Sequence, residues 1–576
     1  MSPDTHPQLS LKLPVWRTRF VLFCLLLAFL GLAVRAGVLQ GMERGRLQAQ
    51  GEMRYGRVLE MPAHRGMITD RHGEPLAVST PVESVALSPS KFEITAEQRG
   101  QLARALDIDR AEMDRRVEAG RKGFVYLKRH VPPEVAARVM QLGVPGVLSQ
   151  REHRRYYPSG DVLAHIVGFT DVDDRGREGV ELAYHDWLAG VPGSRRVIQD
   201  RRGRVIEDVA SVRAPRQGRD LALSIDLKLQ YLAYRELKNA VVTHRARAGS
   251  VVVLDVATGE VMALANFPTY NPNNRSNYET GRARNRALVD LFEPGSTLKP
   301  FTVAAALDAG LYRPESVIDT TGGALMVGRH TIRDVHPAQM LSVSQVIQRS
   351  SNVGTARMAL ALPPKQLWRV LSESGFGTVP RMGFPGEARG SLRDPGVWKP
   401  IEQATMSYGH GISVSLMQLA RAYTIFCGDG ELMPLTLLRR VEPVAGVPVI
   451  SPATALAMRD MLQLVTQAGG TAPKARIAGY RVAGKTGTAH KLVNGRYAPD
   501  RYAASFVGFA PASDPRLIVA VLIDEPSAGQ HYGGQVAAPV AASVLSGALR
   551  VLAVPPDQPL PRTPMPEVLD DIAEEV

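Results

Sequence analysis

The sequence predicts an α+β catalytic domain, an antiparallel sheet flanked by helices. An elongated β-rich pedestal and one N-terminal membrane helix precede it. Three observations carry this reading. Four short, β-branched runs at 251–256, 260–265, 503–510 and 517–524 read as strands, with turn signals at Thr258-Gly259 and between Pro511 and Pro515. Helical patterns at 226–242 and 536–551 bracket them. An apolar run of 15 residues, 20–34, stands near the start of a 576-residue chain long enough for two or three domains.

The apolar run continues past Arg35 to Leu39, and Trp16, Arg17 and Arg19 precede it. An aromatic residue and cations before an apolar run place the N-terminus inside and the bulk of the chain outside. The small-residue cleavage signal around Ala36 is poor, so an uncleaved signal anchor is expected rather than a removed signal peptide. The expected layout is a cytoplasmic segment 1–19, an anchor 20–39, a pedestal 40–218, a catalytic domain 219–554 and a Pro-rich, acidic, disordered tail 555–576.

Hydrophobic residues make up 45% of the chain, enough for packed cores and too little for a polytopic membrane protein. The net charge of +13 suits anionic lipid or an anionic substrate. Without aromatic interleaving or a nucleic-acid motif, no nucleic-acid partner is expected. The two cysteines, Cys24 in the apolar run and Cys427, cannot plausibly pair. No metal and no cofactor are expected, because Cys pairs and ligand-like His spacing are missing from the sequence.

Between 40 and 218 the chain is Arg-rich, with short apolar runs between turn signals. A turn is expected at Arg71-His72-Gly73, a short helix at 180–188 and a hairpin around Arg202-Gly203. Nothing there forms a catalytic constellation. Ala214 to Gly218 reads as the boundary. Beyond it, Ser224 and Asp226 are candidate caps for the first helix.

The chemistry gathers around Phe292-Glu293-Pro294-Gly295-Ser296-Thr297-Leu298-Lys299-Pro300-Phe301. Pro294-Gly295 is a turn and 301–311 an Ala-rich helix, so Ser296 sits where a turn feeds a helix. Ser296 and Lys299 share one helix face. A serine hydroxyl needs a base, and a helix N-terminus with a nearby cation depresses a lysine enough to serve as one. The spacing alone is weak, since Ser88 and Lys91 repeat it. Ser350-Ser351-Asn352 follows at a break between two helical patterns, 342–348 and 353–362; it is the only Ser-x-Asn. Val482 to Thr488 contains the only Lys-[Ser/Thr]-Gly and reads as an edge strand. There Gly487 allows close approach of a ligand, and Lys485, Thr486 and Thr488 suit a carboxylate.

The ordered set Ser296-x-x-Lys299, Ser350-x-Asn352 and Lys485-Thr486-Gly487-Thr488 resembles the three signatures of the serine penicillin-recognising transpeptidases. The stretches His64 to Ser79, Arg154 to Gly160, Gly168 to Gly193 and Phe292 to Phe301 narrow the resemblance to the division-specific class B enzymes of Gram-negative bacteria, over roughly 55–555. One departure is His531-Tyr532-Gly533-Gly534, where relatives carry a more aromatic pair.

The resemblance implies a transpeptidase fold and a donor stem peptide of peptidoglycan ending in D-Ala-D-Ala. Ser296 would attack the penultimate carbonyl, with Lys299 as base. Ser350 would relay the proton within a Lys299–Lys485 network. Asn352 would hold the substrate amide, and Thr486 and Thr488 the terminal carboxylate. The backbone N–H groups of Ser296 and Thr488 would form the oxyanion hole. Tyr408 in Ser407-Tyr408-Gly409-His410-Gly411 would line the cleft, with Tyr502 and Tyr532 as weaker candidates for an aromatic wall. Further implied are lipid-linked precursor, β-lactams as inhibitors, and partners among a polytopic peptidoglycan glycosyltransferase and other divisome proteins. The site would face the periplasm from a single-pass anchor in the inner membrane.

Other functions fit less well. A D,D-carboxypeptidase or serine β-lactamase shares the motifs, yet the anchor and large pedestal favour a synthase, and no Glu-x-x-Leu-Asn segment supplies a deacylation base. A non-catalytic division scaffold would not need intact motifs. A Ser-His-Asp hydrolase lacks its Gly-x-Ser-x-Gly elbow. A bifunctional synthase would need a longer N-terminal region.

Overall fold

The computed structural model describes residues 14–47, 56–87, 94–122, 124–199, 205–276 and 278–560. Its first helix, Val15–Gly37, runs on through Val38–Met42. Val15–Met42 is long and apolar enough to cross a membrane, and an 18-residue window within it has a mean hydropathy of 2.4. It starts five residues before the expected Phe20, taking in Trp16, Arg17 and Arg19, with Pro14 as the residue that precedes it.

Packing divides the chain into two units. The first comprises the described parts of 1–63, 82–152 and 191–216; the second those of 64–81, 153–190 and 217–576. A single cut at Gly218 follows the sequence, whereas the packing interleaves. The reason is visible within the second unit. Leu76, Ile166, Val180 and Leu188 belong to the same buried cluster as Leu229 and Val253. Arg65 and Arg155 both reach the buried Glu181, at 2.6 and 2.7 Å.

In the first unit, Gly193–Gln199 pairs antiparallel with Gly56–Met61 on one side and Val205–Arg213 on the other. The expected turn at Arg202-Gly203 lies outside the described residues, as do Ser88 and Lys91. Beside these strands the unit holds helices Ala96–Leu106, Arg110–Lys122 and Pro133–Gln141. They bury Leu102, Leu106, Met113, Val117 and Val139 around Val85 and Leu127. Their short apolar stripes are set among Arg and Glu, so a reading tuned to apolar runs sees only the strands.

In the second unit, helix α1 (Leu227–Thr243) is capped by Asp226, which accepts from the N–H groups of Lys228 and Leu229. Ser224 does not cap; its hydroxyl donates to the Val261 carbonyl. Strands β1 (Ala248–Asp255) and β2 (Val261–Phe267) form the expected hairpin. Helix α2 (Lys299–Asp308) follows the 3₁₀ turn Gly295–Leu298. Helices α3 (Val343–Arg349) and α4 (Asn352–Ala361) meet at Ser350-Ser351. Strands β3 (Ala483–Val493), β4 (Arg496–Ala510) and β5 (Leu517–Asp524) complete one antiparallel sheet in the order β2-β1-β5-β4-β3. Strands β1 and β5 are buried almost throughout, which explains their continuous apolar sequences. Helix α5 (Ala538–Val551) packs with α1. β3 is an edge strand, and its free side meets the Gly295–Leu298 turn.

Two expectations change locally. The helix at 180–188 is two short ones, Gly179–Ala183 and His185–Leu188, broken at Tyr184. The tail expected to be disordered from Pro555 is fastened through its first residues: Asp557 accepts from Arg481 N at 2.7 Å and Ser513 Oγ at 2.7 Å, and Gln558 Nε2 donates to Tyr480 O at 2.8 Å. The part beyond 560 lies outside the described residues.

Candidate active site

Ser296 sits half-buried in the 3₁₀ turn that feeds α2. Gly295 enters that turn at φ 56°, a left-handed conformation cheap only for glycine. One turn later Lys299 is fully buried. Its Nζ donates to Ser350 Oγ at 3.1 Å and to the Ser350 carbonyl. Lys485, also fully buried on β3, donates to the same Ser350 Oγ at 2.9 Å. Ser350 caps α3 in the left-handed region, φ 62°, a strained place for a serine that commonly accompanies function. The three motifs, scattered over 190 residues of sequence, thus close on one hydroxyl.

Burial first, then the neighbouring Lys485, hold Lys299 well below the usual lysine range, with Asp334 opposing. Burial alone brings Lys485 down to about 7. Desolvation disfavours the ammonium form, and a second cation nearby disfavours it further. Lys299 thus carries an amine of lowered pKa one helical turn after Ser296, and its hydrogen bonds go to Ser350.

The Ser350–Asn352 corner is organised by Asp334. Its carboxylate accepts from Ser351 Oγ at 2.6 Å, Asn352 N at 2.5 Å and Val353 N at 2.9 Å. This carboxylate at the N-terminus of α4 is favourable both as a cap and toward the helix dipole. Asn352 Nδ2 donates to the Arg333 carbonyl at 2.9 Å, which orients the amide and leaves its oxygen for a ligand.

On β3, Thr486 and Thr471 share a hydroxyl hydrogen bond of 2.8 Å. Thr488 Oγ1 accepts from Gly533 N at 3.0 Å, and its own O–H remains able to donate. The close approach at Gly487 is made by the protein itself. A Cβ there would lie 2.5 Å from Ser505 Oγ and 2.7 Å from the Pro294 carbonyl. Glycine at this position lets the edge strand press against the Ser296 turn.

From the other side the turn is closed by the loop 407–411. Gly409 has φ 91°, and a Cβ there would fall 2.1 Å from the Gly295 carbonyl. Gly295 N donates to Gly409 O. Tyr408 is buried against Val327, Ile332, Ala356 and Ala404, and burial pushes its phenol up to about 12. The Glu293 carboxylate ties these pieces together. It accepts from His410 Nδ1 at 3.0 Å, Gly411 N at 2.9 Å and Tyr497 OH at 3.0 Å. Tyr502 and Tyr532 belong to a four-ring stack with His490 and His531. Tyr502 lies 4.1 Å from His531 at an interplanar angle of 15°.

Sequence reasoning missed Asp334, Thr471 and the clamp on Glu293. Asp334 and Thr471 belong to no local motif. Glu293 stood in the quoted stretch, but its partners come from 117 residues or more downstream.

The model of the penicillin binding protein transpeptidase domain matches residues 249–546, and that of the penicillin-binding protein dimerisation domain matches 60–223. The chain is 43% identical to the peptidoglycan D,D-transpeptidase FtsI of Escherichia coli (strain K12), over 94% of this chain and 93% of that one. It is 41% identical to the probable peptidoglycan D,D-transpeptidase PenA of Neisseria meningitidis, over 94% of each. Among solved structures, the transpeptidase domain of Burkholderia pseudomallei penicillin-binding protein 3 is similar at 47% identity and a TM-score of 0.55, over 58% of this chain and 98% of that one. With both family segments in order and the signature residues converging on Ser350, the chain belongs to the class B penicillin-binding proteins.

Proposed function

We propose that this protein is a peptidoglycan D,D-transpeptidase that cross-links stem peptides through an acyl-serine during septum synthesis, and that β-lactams inhibit it. The observation that carries the reading is the convergence of two buried, depressed lysines on Ser350, one of them, Lys299, a helical turn after Ser296. Ser296 Oγ attacks the carbonyl of the penultimate D-Ala, and Lys299 takes its proton. The backbone N–H groups of Ser296 and Thr488 stabilise the oxyanion, an interaction worth about 3–4 kcal/mol per donor. The C–N bond breaks, and the terminal D-Ala leaves with a proton relayed through Ser350 within the Lys299–Lys485 network. The amine of a neighbouring stem then attacks the acyl carbonyl, forming the cross-link and releasing Ser296.

Asn352 positions the donor amide. Thr486 and Thr488, with Lys485, receive the terminal carboxylate, and Gly487 keeps their strand close to the nucleophile. Tyr408 supports the cleft from the 407–411 loop. The N-terminal helix is a single-pass inner-membrane anchor, with Trp16, Arg17 and Arg19 on the cytoplasmic side and the catalytic unit in the periplasm. A polytopic glycosyltransferase supplying polymerised lipid-linked precursor, and other divisome proteins, bind the anchor and the pedestal.

Labelling with a fluorescent penicillin tests the site. Wild type forms a covalent adduct and Ser296→Ala does not; an adduct retained in the variant overturns the assignment of the nucleophile. Product analysis tests the reaction, since free D-Ala without cross-links would identify a carboxypeptidase instead.

A further inference from the structure

A second cleft of about 400 Å³ lies in the catalytic unit, lined by residues of 161 and 269–282 and sharing none with the Ser296 site. That volume suits a small ligand. Its floor holds Tyr270, buried, and Tyr278, partly buried, edge to face at 5.7 Å. Its rim holds Asn271, Asn274, Arg275 and Arg282, all exposed.

The cleft is preformed. Asn273 exchanges two hydrogen bonds with the Tyr157 backbone, at 2.8 and 3.0 Å. Arg275 stacks on Phe169 at 4.6 Å and donates to the Thr170 carbonyl at 2.9 Å. Tyr270 OH donates to the Ala164 carbonyl at 3.0 Å. Preorganisation of this kind lowers the entropic cost of binding.

The lining chemistry is mixed rather than one-signed. The guanidinium of Arg282 is met by Glu279 at 3.1 Å, and Asp161 adds a carboxylate that accepts from Tyr234 at 2.6 Å. Asn271 and Asn274 use their amide oxygens within the loop, on Asn273 N and on Ser276 N and Oγ. Their amide N–H groups remain for a ligand. Aromatic rings crossing at right angles, amide donors, hydroxyls and one carboxylate suit a neutral ring bearing hydroxyl and acetamido groups. A compact anion would find one lining cation without a carboxylate, Arg275, and its guanidinium is already held on the Phe169 ring and the Thr170 carbonyl.

We infer that this cleft binds amino-sugar units of the glycan strand, holding the polymer while its stem peptide reacts at Ser296. The inference rests on the proposed function for its choice of polymer.

Saturation-transfer NMR on the full-length protein in detergent, first acylated with penicillin, tests it. The probe is a β-1,4-linked N-acetylglucosamine trimer. Wild type should transfer saturation to the acetamido methyl and ring protons. Asn274→Ala, an exposed change with little consequence for folding, and Tyr278→Ala should each cut that signal at least 5-fold. No transfer in wild type, or equal transfer in both variants, overturns the inference. So does transfer to a stem pentapeptide in place of the sugar. Penicillin acylation is read on the same samples, so a failure of the sugar site leaves the proposed function standing. A failure to acylate counts against that function alone.

Discussion

Lys485 Nζ donates to Ser350 Oγ over 2.9 Å, and Lys299 approaches the same oxygen from the opposite motif. One hydroxyl thus joins two buried amines by hydrogen bonds, the link through which the proposed relay runs. Replacing Lys299 by Ala removes the base assigned to Ser296. The acylation rate with penicillin is expected to fall about 10²–10⁴-fold, with a circular dichroism spectrum like wild type. A rate within a factor of three of wild type would remove Lys299 from the mechanism.

The depressed lysine also sets a pH dependence of stability. Lys485 is brought from an ordinary 10.5 to about 7 by burial. Between these values the unfolded chain holds a proton that the folded chain lacks. The unfolding free energy therefore rises with pH across this window, and the penalty for burying the charge is complete below it. Lys299, shifted the same way, adds to the slope. Urea midpoints measured from pH 7 to about 9 should climb for wild type, and climb less for Lys485→Met.

Glu293 clamps the 407–411 loop and the β3–β4 hairpin onto the catalytic turn. Burial pushes its carboxyl up, but the hydrogen bonds from His410, the Gly411 amide and Tyr497 outweigh it and leave it below the usual glutamate range. Its contribution is thus present above the ordinary carboxylate pKa and is lost as pH falls through the lowered value. Glu293→Gln keeps the shape and removes the charge. A loss of about 1–3 kcal/mol in chemical denaturation is expected, together with slower acylation; an unchanged midpoint would show that the clamp does not stabilise the fold.

Gly409→Ala tests the fit of that loop against the nucleophile. The new methyl would overlap the Gly295 carbonyl and strain a backbone at φ 91°. A displacement of about 1 Å at the Ser296 turn is expected to lower acylation by about 10²-fold, more than it lowers penicillin affinity before acylation. Stopped-flow labelling separates the two.

The ion triad of Arg65, Arg155 and Glu181 holds 64–81 and 153–190 in the catalytic unit. All three side chains are no more than 1% exposed. Glu181→Gln leaves two guanidiniums buried without their carboxylate. Breaking such a cluster costs about 3–5 kcal/mol. Thermal unfolding of the variant should begin well below wild type; an unchanged melting temperature would show that the triad adds nothing net.

The sheet was legible because β1, β2, β5 and the second half of β4 are apolar runs between turn signals, and α1, capped by Asp226, and α5 carry helical periodicity; the polar first half of β4, 496–502, was not. The candidate nucleophile stands out through its company, since Ser296-x-x-Lys299 gains meaning only with Ser350-x-Asn352 and Lys485-Thr486-Gly487 behind it. Helices Ala96–Leu106, Arg110–Lys122 and Pro133–Gln141 were not, because their apolar stripes are short and set among charges. The interleaving of units was not, because Arg65 and Glu181 are 116 residues apart and nothing local marks them as partners.

Residues read in order single out the candidate groups: a hydroxyl at a helix start, a lysine one turn on, a serine and amide at a helix break, and a Lys-Thr-Gly edge strand. These are local facts of residue type and spacing. Only the tertiary structure decided that both lysines meet at Ser350, that Asp334 and Glu293 hold the corners of the site, and that glycines at 409 and 487 let two distant segments close on the Ser296 turn. Those outcomes depend on burial and on contacts between segments 17 to 204 residues apart, where a desolvated amine or a missing Cβ acquires its meaning from what surrounds it.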